Sequence, residues 1–189
     1  MDKKKTAVLS ISGGLDSTCL LLKLLSEGYS VHAYSFYYGQ KHKVELEKLR
    51  NNISLLKEMG KDLYWQIINL ESCFDESQSS LHEKGEAIPE GHYADENMKS
   101  TVVENRNVIF ASIVYGKALA ISKREDSDVD IFLGIHAGDH SIYPDCRPES
   151  REACEHAFKI SNWGSERVSY KAPFVDIDKA GVLAAGVKA

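Results

Sequence analysis

The chain has 189 residues, of which 43% are hydrophobic and 27% are charged. These proportions are typical of folded globular proteins, so they exclude disordered, collagen-like and coiled-coil chains, and the length predicts a single domain spanning residues 1–189. The 28 acidic residues outnumber the 23 basic residues. This balance argues against a general nucleic-acid-binding protein, which needs a basic face to displace counterions from phosphates.

Two further features bear on the cellular setting. No run approaches the roughly 18 apolar residues of a membrane span, and Gly13 and Asp16 interrupt the N-terminal apolar stretch too early for a secretory signal. The 4 cysteines are scattered without a CxxC pair, so neither a disulfide framework nor a zinc knuckle is predicted. We therefore expect a cytoplasmic protein that does not associate with membranes.

The first part of the chain alternates strand-like and helix-like runs. Residues 6–12 are short, apolar and β-branched and lead into two glycines, as a buried parallel strand does. The next run has helical spacing from residue 17 and can end at Gly28 in a left-handed conformation. Further runs predict a strand over 31–36, a helix over 44–59 and a strand over 63–70. This βαβαβ order predicts an α/β fold with a doubly wound, mostly parallel sheet flanked by helices.

The periodicity fails between residues 71 and 100, where Ser, Glu, His and Gly are frequent. A segment of about thirty residues is too long for a simple connector and predicts a lid, a binding excursion or a partly disordered segment. Regular patterns then return, with helices predicted over 107–122, 149–160 and 176–185 and strands over 130–135 and 168–170.

The most informative motif is SGGLDS at residues 12–17, where the first strand meets the first helix. Glycines allow a backbone to approach a phosphate closely, N–H and hydroxyl groups donate hydrogen bonds, and the helix N-terminus adds about half a positive charge. Asp16 would repel phosphate unless Mg²⁺ or an ordering hydrogen bond offsets its charge, which favours a magnesium-bound nucleotide. An ordinary glycine-rich turn with Asp16 as a helix cap is the alternative. The predicted nucleotide-binding residues are Ser10, Ile11, Ser12, Gly13, Gly14, Leu15, Asp16 and Ser17.

The string SGGLDS resembles the pyrophosphate loop of the ATP-pyrophosphatase (PP-loop) superfamily, which has the adenine nucleotide alpha hydrolase-like fold. Four more strings resemble the 7-cyano-7-deazaguanine synthase (QueC/ExsB) family. They are YGQKH at 38–42 with Glu45, NRN at 105–107 with Phe110, GD at 138–139, and YPDCRPE at 143–149. The likeness runs in order from about residue 6 to residue 183, and YPDCRPE is its most specific string.

The resemblance implies an ATP-dependent ligase of 7-deazaguanine (queuosine-type) biosynthesis. Such an enzyme converts 7-carboxy-7-deazaguanine and ammonia to 7-cyano-7-deazaguanine through an adenylate and an amide, with ATP and Mg²⁺. A carboxylate is a poor electrophile, and transfer of AMP provides the leaving group it lacks. The expected partners are the small-molecule substrate and ammonia. Direct nucleic-acid binding is not expected, and the resemblance allows a homodimer.

Within this resemblance, the predicted catalytic residues are Asp16, Ser17 and Arg106. Arg106 would bind a phosphate or the substrate carboxylate bidentately, with an arginine exposed at a helix start as the alternative. Asn107 would cap the helix or contact the nucleotide.

The YPDCRPE string supplies further candidates. Asp145 is the candidate acceptor for the N–H groups of a guanine-like edge, and Arg147 is the candidate partner of the carboxylate. Cys146 has no base beside it, so we expect it to line the pocket and not to act as a nucleophile. The predicted substrate-binding residues are Tyr38, Gln40, Lys41, His42, Arg106, Asn107, Asp139, Tyr143, Asp145, Cys146 and Arg147.

Three positions depart from the family pattern. The usual Pro-Gly-Arg-Asn reads Glu104-Asn105-Arg106-Asn107 here, and asparagine tolerates the left-handed backbone that this turn needs. Ser150 stands where an aromatic residue usually follows YPDCRPE. The sequence reaches Ala189 without the cysteine-rich tail that binds zinc in relatives, so we expect no zinc site in this chain.

The missing tail leaves several alternatives open. The sequence is either truncated or a divergent short form, and a short form would either stop at 7-amido-7-deazaguanine or condense a different carboxylate. A tRNA-modifying PP-loop enzyme and a non-catalytic nucleotide-binding module are the other candidates.

Overall fold

The structure is a computed structural model that describes residues 4–41, 43–85 and 96–189. The strands are β1 (Thr6–Ser10), β2 (Ser30–Tyr37), β3 (Leu63–Asn69), β4 (Val129–Leu133) and β5 (Val168–Lys171). The helices are α1 (Leu15–Ser26), α2 (Lys43–Glu58), α3 (Arg106–Glu125), α4 (Pro148–Ser161) and α5 (Lys179–Val187). His42 and residues 86–95 of the predicted excursion lie outside the described residues.

The five strands form one sheet in the order β3-β2-β1-β4-β5, and each neighbouring pair is parallel. This arrangement confirms the predicted α/β fold. Chain order and spatial order diverge at β1, because β2 and β3 lie on one side of it and β4 and β5 lie on the other.

Apolar side chains cover both faces of the sheet. Ala7 and Leu9 of β1 pack in one cluster with residues of α1, α2 and α5, whereas Val8 packs in a second cluster with residues of α3. All three side chains are fully buried. Successive side chains of a strand point to opposite faces, so a central parallel strand needs an unbroken apolar run, as the sequence predicted.

Two of the element boundaries that differ from the predictions lie at the SGGLDS turn. β1 ends at Ser10, two residues early, because the Ser12 N–H donates to the Ser17 hydroxyl and begins the turn. α1 begins at Leu15, two residues before the predicted start, because the extended backbone of Gly14 serves as its N-cap.

The described part of the excursion packs against the loop that follows β2. Gln40 and His82 form an isolated antiparallel bridge, and the Lys41 N–H donates to the Leu81 carbonyl at 3.0 Å. The side chain of His82 is buried. Residues 77–85 are therefore integrated into the fold. Within the described ranges, no helix combines the length and apolarity needed to cross a bilayer.

Candidate active site

A cavity of about 480 Å³ opens at the carboxyl ends of β1 and β4. Open α/β sheets bind ligands at such a switch in strand order, and this volume is within the roughly 300–1,000 Å³ typical of small-molecule sites. The cavity is lined by Ser10, Ile11, Ser12, Ser17, Phe36, Tyr38, Gln40, Glu45, Leu81, Thr101, Arg106, Asn107, Phe110, Leu133, Gly134, Ile135, Asp139, Tyr143 and Cys146.

The SGGLDS turn is closed by hydrogen bonds among its own residues. The Oγ atoms of Ser12 and Ser17 lie 3.2 Å apart, the Gly14 N–H donates to Ser12 Oγ at 3.2 Å, and Ser17 Oγ donates to the Gly14 carbonyl at 3.2 Å. Gly14 is the N-cap of α1, so Asp16 does not cap that helix. Two hydroxyls and a helix N-terminus, whose first N–H groups lack intrahelical acceptors, therefore meet at one end of the cavity.

Two glycines permit the close packing around this turn. A Cβ atom on Gly13, whose φ is +92°, would lie 2.8 Å from the Glu45 carbonyl oxygen of α2. A Cβ atom on Gly134, just after β4, would lie 3.1 Å from the Ser17 nitrogen. A side chain at either position would push α2 or β4 away from the turn.

Asp16 has a buried carboxylate oxygen without a described partner. Its Oδ1 makes no hydrogen bond to any residue within 4–41, 43–85 or 96–189, and its Oδ2 lies 3.8 Å from His136 Nε2. An unsatisfied buried oxygen is costly, so a ligand or ion that engages Oδ1 would be favoured at this position.

Arg106 faces the cavity from the first position of α3. Its Nη1 donates to the Tyr38 hydroxyl at 3.3 Å, and its guanidinium lies 5.9 and 6.0 Å from the ring centroids of Tyr38 and Tyr143. Burial lowers the pKa of Arg106 and is the largest single influence, but Tyr38, Tyr143 and Asp145 together raise that pKa above its ordinary value. In the described part of the chain, no carboxylate lies within ion-pair distance of this charged group. Arg106 is thus a cavity residue and not an arginine exposed at a helix start.

Asn107 and Asp145 bind each other. Asp145 Oδ2 accepts from the Asn107 N–H at 3.0 Å, and Asp145 Oδ1 accepts from the Asn107 side chain at 3.2 Å. Asn107 therefore does not cap α3, and Asp145 instead satisfies an N–H of its first turn. Asp145 is not among the lining residues, so its contact with a guanine-like edge stays a prediction.

Cys146 lies beside this pair at the cavity wall. Its sulfur accepts from the Asn107 side chain at 3.2 Å, and burial, followed by the charges of Asp145 and Asp139, raises the pKa of its thiol. A thiol that resists ionisation is a poor nucleophile. The geometry suits packing against a ligand.

The turn before α3 has the conformation expected at Asn105. This residue has φ +54° and ψ +18°, which is the left-handed region. The preceding Glu104 accepts a hydrogen bond from the Ser77 hydroxyl at 2.7 Å. The carboxylate that departs from the family pattern therefore attaches the excursion to the start of α3.

The loop after β2 contributes two of its four predicted residues to the cavity wall. Gln40 closes the loop, because its Oε1 accepts from the Tyr38 N–H at 2.9 Å and its Nε2 donates to the Phe36 carbonyl at 3.1 Å. Lys41 Nζ donates to the Gly85 carbonyl at 2.9 Å, and Lys41 does not line the cavity. The prediction for His42 falls outside the described residues.

The YPDCRPE segment also contributes only some of its predicted residues to the cavity wall. Tyr143 lines the cavity, and its hydroxyl lies 2.8 Å from Thr101 Oγ1. Asp139, which precedes this segment, also lines the cavity. Arg147 is exposed, and its Nε donates to the His140 carbonyl at 2.9 Å. The structure does not bring Arg147 to the cavity wall, so a contact with the substrate carboxylate stays a prediction.

Sequence reasoning missed several lining residues. Gly134 and Ile135 directly follow β4, and the rule that ligands gather at the carboxyl ends of parallel strands could have found them. Leu81 and Thr101 reach the cavity only because the excursion folds back. No local pattern marks them.

The profile of the family described as "Queuosine biosynthesis protein QueC" matches residues 6–189. The chain belongs to the QueC family. Its relatives include the 7-cyano-7-deazaguanine synthase of Caldicellulosiruptor saccharolyticus, which is 40% identical over 182 residues covering 96% of this chain and 76% of the relative. The 7-cyano-7-deazaguanine synthase 2 of Colwellia psychrerythraea is 41% identical, over 97% of this chain and 79% of that relative. The resemblance drawn from the motifs is confirmed, and the chain is an enzyme of the 7-cyano-7-deazaguanine synthase kind.

Solved structures bear on the fold alone. A "predicted subunit of tRNA methyltransferase" from Methanocaldococcus jannaschii superposes with a TM-score of 0.56 at 12% identity, over 97% of this chain and 74% of that chain. A 4-thiouridine synthetase in complex with RNA and ATP superposes with a TM-score of 0.55 at 17% identity, over 97% of this chain and 40% of that chain. These likenesses agree with the predicted α/β fold.

Proposed function

We propose that this member of the QueC family converts 7-carboxy-7-deazaguanine and ammonia to 7-cyano-7-deazaguanine at the expense of ATP. The observation that carries the proposal is the position of Arg106. A charged guanidinium without a described carboxylate partner faces the same cavity as the hydroxyls of Ser12 and Ser17. One cavity thus offers a cation for a carboxylate or phosphate and an anion-binding turn for pyrophosphate. The names of the relatives support the choice of substrate and product.

The first step joins the substrate carboxylate to AMP. The carboxylate oxygen attacks the α-phosphorus of ATP, and the bond to the β-phosphate oxygen breaks to release pyrophosphate. The Ser12 and Ser17 hydroxyls and the first N–H groups of α1 bind the pyrophosphate, whose charge grows as the bond breaks. Arg106 holds the carboxylate against the α-phosphate, because its planar guanidinium can donate two parallel hydrogen bonds.

An aromatic wall suits the flat bicyclic ring of the substrate. Phe36 and Phe110 stack with ring centroids 4.1 Å apart, and Tyr38 lies 5.8 Å from Phe110. All three rings line the cavity. A deazaguanine ring placed against them would bury apolar area and exclude water from the activated carbonyl.

Ammonia completes the reaction in two stages. It attacks the activated carbonyl carbon, AMP leaves, and loss of a proton gives the amide. A second ATP then transfers AMP to the amide oxygen. Loss of that oxygen with AMP and of the remaining N–H protons gives the nitrile. The same cavity serves both stages, since the acceptor oxygen belongs to the same substituent of the ring.

The residues present fit a magnesium-bound nucleotide. Asp16 Oδ1 is buried and lacks a partner among the described residues, and a carboxylate oxygen is a ligand that Mg²⁺ prefers. When bound to the phosphates, Mg²⁺ neutralises part of their charge. The described residues hold no group of three His, Cys, Asp or Glu side chains arranged as a metal site. We therefore propose that phosphate oxygens supply most of the magnesium ligands.

The proposal is tested by incubating the purified chain with 7-carboxy-7-deazaguanine, MgATP and ammonium and identifying every product by mass spectrometry. We expect the nitrile together with two AMP and two pyrophosphate for each molecule of product. Accumulation of the amide alone would contradict the second stage. Release of ADP and orthophosphate, or no change in the deazaguanine, would contradict the whole proposal.

A further inference from the structure

A buried histidine lies between the pyrophosphate loop and the cavity wall. His136 follows β4, its side chain is only 9% exposed, and its Nε2 lies 3.8 Å from Asp16 Oδ2 and 3.7 Å from Asp139 Oδ1. Asp16 belongs to the SGGLDS turn, and Asp139 lines the cavity. One ring nitrogen therefore faces two carboxylates that belong to different parts of the site.

The surrounding backbone fixes which ring nitrogen carries the proton. His136 Nδ1 accepts a hydrogen bond from the Gly138 N–H at 2.9 Å, so the neutral ring carries its proton on Nε2. The His136 N–H donates to Asp139 Oδ2 at 3.1 Å. Because of these two bonds, the ring turns its Nε2–H toward the gap between Asp16 and Asp139, at distances longer than a hydrogen bond.

Gly138 lies directly beside the ring. A Cβ atom on Gly138 would be 2.6 Å from His136 Cε1 and 3.0 Å from Nδ1. The ring therefore packs directly against the backbone of this turn. The turn and the ring hold each other in place.

Among the described residues, Asp139 is held more firmly than Asp16. Asp139 is already held by the His136 main chain, whereas Asp16 Oδ1 has no hydrogen bond within the described ranges. Without the ring, the carboxylates of Asp16 and Asp139 would face each other across one gap, beside a site proposed to bind anionic phosphates. Their repulsion would displace the carboxylate with fewer hydrogen bonds. That carboxylate is Asp16.

We propose that His136 is a positioning residue for the pyrophosphate loop. Its Nε2–H, 3.8 Å from Asp16 Oδ2, orients the Asp16 carboxylate electrostatically for the magnesium-bound pyrophosphate, and the ring separates that carboxylate from Asp139 at the substrate side. This role rests on the proposed function, because it assigns Asp16 to the phosphate end of the reaction.

Two substitutions separate positioning from the structure of the turn. In His136→Asn, the amide oxygen can take the place of Nδ1 as acceptor for the Gly138 N–H, but no N–H group occupies the position of Nε2. In His136→Gln, the longer side chain can return an N–H near the position of Nε2. His156→Asn is the matched control, because His156 is exposed on α4.

The experiment measures the affinity for magnesium pyrophosphate by calorimetry in a double-mutant cycle with Asp16→Asn. We expect His136→Asn to weaken binding about tenfold in the native chain and less than about twofold in the Asp16→Asn chain, since the ring acts through Asp16. His136→Gln should recover most of the loss, and His156→Asn should bind like the native chain. The KM for the deazaguanine should stay within about twofold in His136→Asn, because the loss falls on the phosphate side.

Unchanged affinity in His136→Asn, or equal weakening in both backgrounds, would overturn the proposal. Gly138→Ala gives a second test that leaves His136 in the chain, since the added methyl group displaces the ring, and it should weaken binding to a similar extent. Normal binding by Gly138→Ala would count against the role of the ring. Failure of the proposed function would show already in the native chain, which would not bind magnesium pyrophosphate, whereas failure of the His136 role shows only in the variants.

Discussion

The two ends of the cavity are built in different ways. The end proposed to bind pyrophosphate comes from one continuous stretch, residues 10–17, and is closed by hydrogen bonds between Ser12, Gly14 and Ser17. The opposite wall combines side chains that are far apart in the chain, among them Tyr38, Leu81, Thr101, Arg106 and Tyr143. A locally closed turn should tolerate loss of a functional atom without unfolding. Substitutions in a wall assembled by tertiary packing should lower both the activity and the stability of the protein.

The largest expected effect is at the wall, in Arg106→Ala. Loss of the guanidinium should lower kcat/KM for the deazaguanine carboxylate about 10³-fold, because this residue is the cation proposed to orient the reacting oxygen. Arg106→Lys should recover only part of the loss, since an ammonium cannot donate in parallel. Steady-state kinetics with mass-spectrometric product detection measure both.

Arg124→Ala is the control for this experiment, because Arg124 lies at the exposed end of the same helix and pairs with Glu125. It should retain native activity. Native activity in Arg106→Ala would show that the wall does not hold the carboxylate.

A smaller loss is expected at the turn, in Ser17→Ala. Removal of one hydroxyl that is proposed to bind pyrophosphate should lower the rate of AMP formation about 10²-fold. The Tm should fall by only a few degrees. Ser17 Oγ takes part in three hydrogen bonds, with the Ser12 N–H, the Ser12 hydroxyl and the Gly14 carbonyl, and all of these lie within residues 12–17. Asp16→Asn should behave similarly.

Ser26→Ala, at the exposed end of α1, is the matched control and should leave the rate unchanged. Full activity in both Ser17→Ala and Asp16→Asn would contradict the assignment of the turn. A large loss of stability in either variant would contradict the conclusion that the turn is closed by hydrogen bonds among its own residues.

The third prediction concerns the attachment of the excursion to the wall. In Gly39→Ala, a Cβ atom would lie 2.6 Å from the buried Nε2 of His82, at a residue whose φ is +79°. Strain and overlap should together lower the free energy of unfolding by about 2 kcal/mol.

Gly60→Ala is the control for Gly39→Ala, because Gly60 has φ +74° but an added Cβ atom would have no neighbour within 4 Å. It should cost about 1 kcal/mol, from backbone strain alone. Chemical denaturation measures both changes. Equal losses would mean that His82 gives way and that the excursion is not fixed by this contact.

The smallest expected effect is a gain in stability from Asn105→Gly. Glycine adopts the observed φ of +54° without a Cβ penalty, so the free energy of unfolding should rise by up to about 1 kcal/mol. Asn105→Ala should lower it by a similar amount. Asp126→Gly, at φ +48° beyond the other end of α3, is the matched comparison, and a loss of stability in Asn105→Gly would contradict this account of the turn.

The two ends also differ in how far the sequence could predict them. SGGLDS predicted the turn because its chemistry is contiguous, and the alternation of strands and helices predicted the sheet. The contribution of Leu81 and Thr101 could not be predicted, because it depends on how a segment without periodicity folds back. Asp145 shows a further limit, since nothing in its residue type predicts that its carboxylate binds the start of α3.

The position of His136 could not be predicted from local pattern either. Its partner Asp16 lies 120 residues earlier in the chain, and the two meet only because β1 and β4 are neighbours. Sequence spacing reveals such a contact only when the strand order is known.

The most direct test of the account is exchange of labelled pyrophosphate into ATP in the absence of ammonia. Reversible transfer of AMP to the substrate carboxylate predicts that label enters ATP only when 7-carboxy-7-deazaguanine and Mg²⁺ are both present, and that Arg106→Ala abolishes the exchange. Exchange that does not depend on the deazaguanine, or no exchange with the native chain, would contradict it.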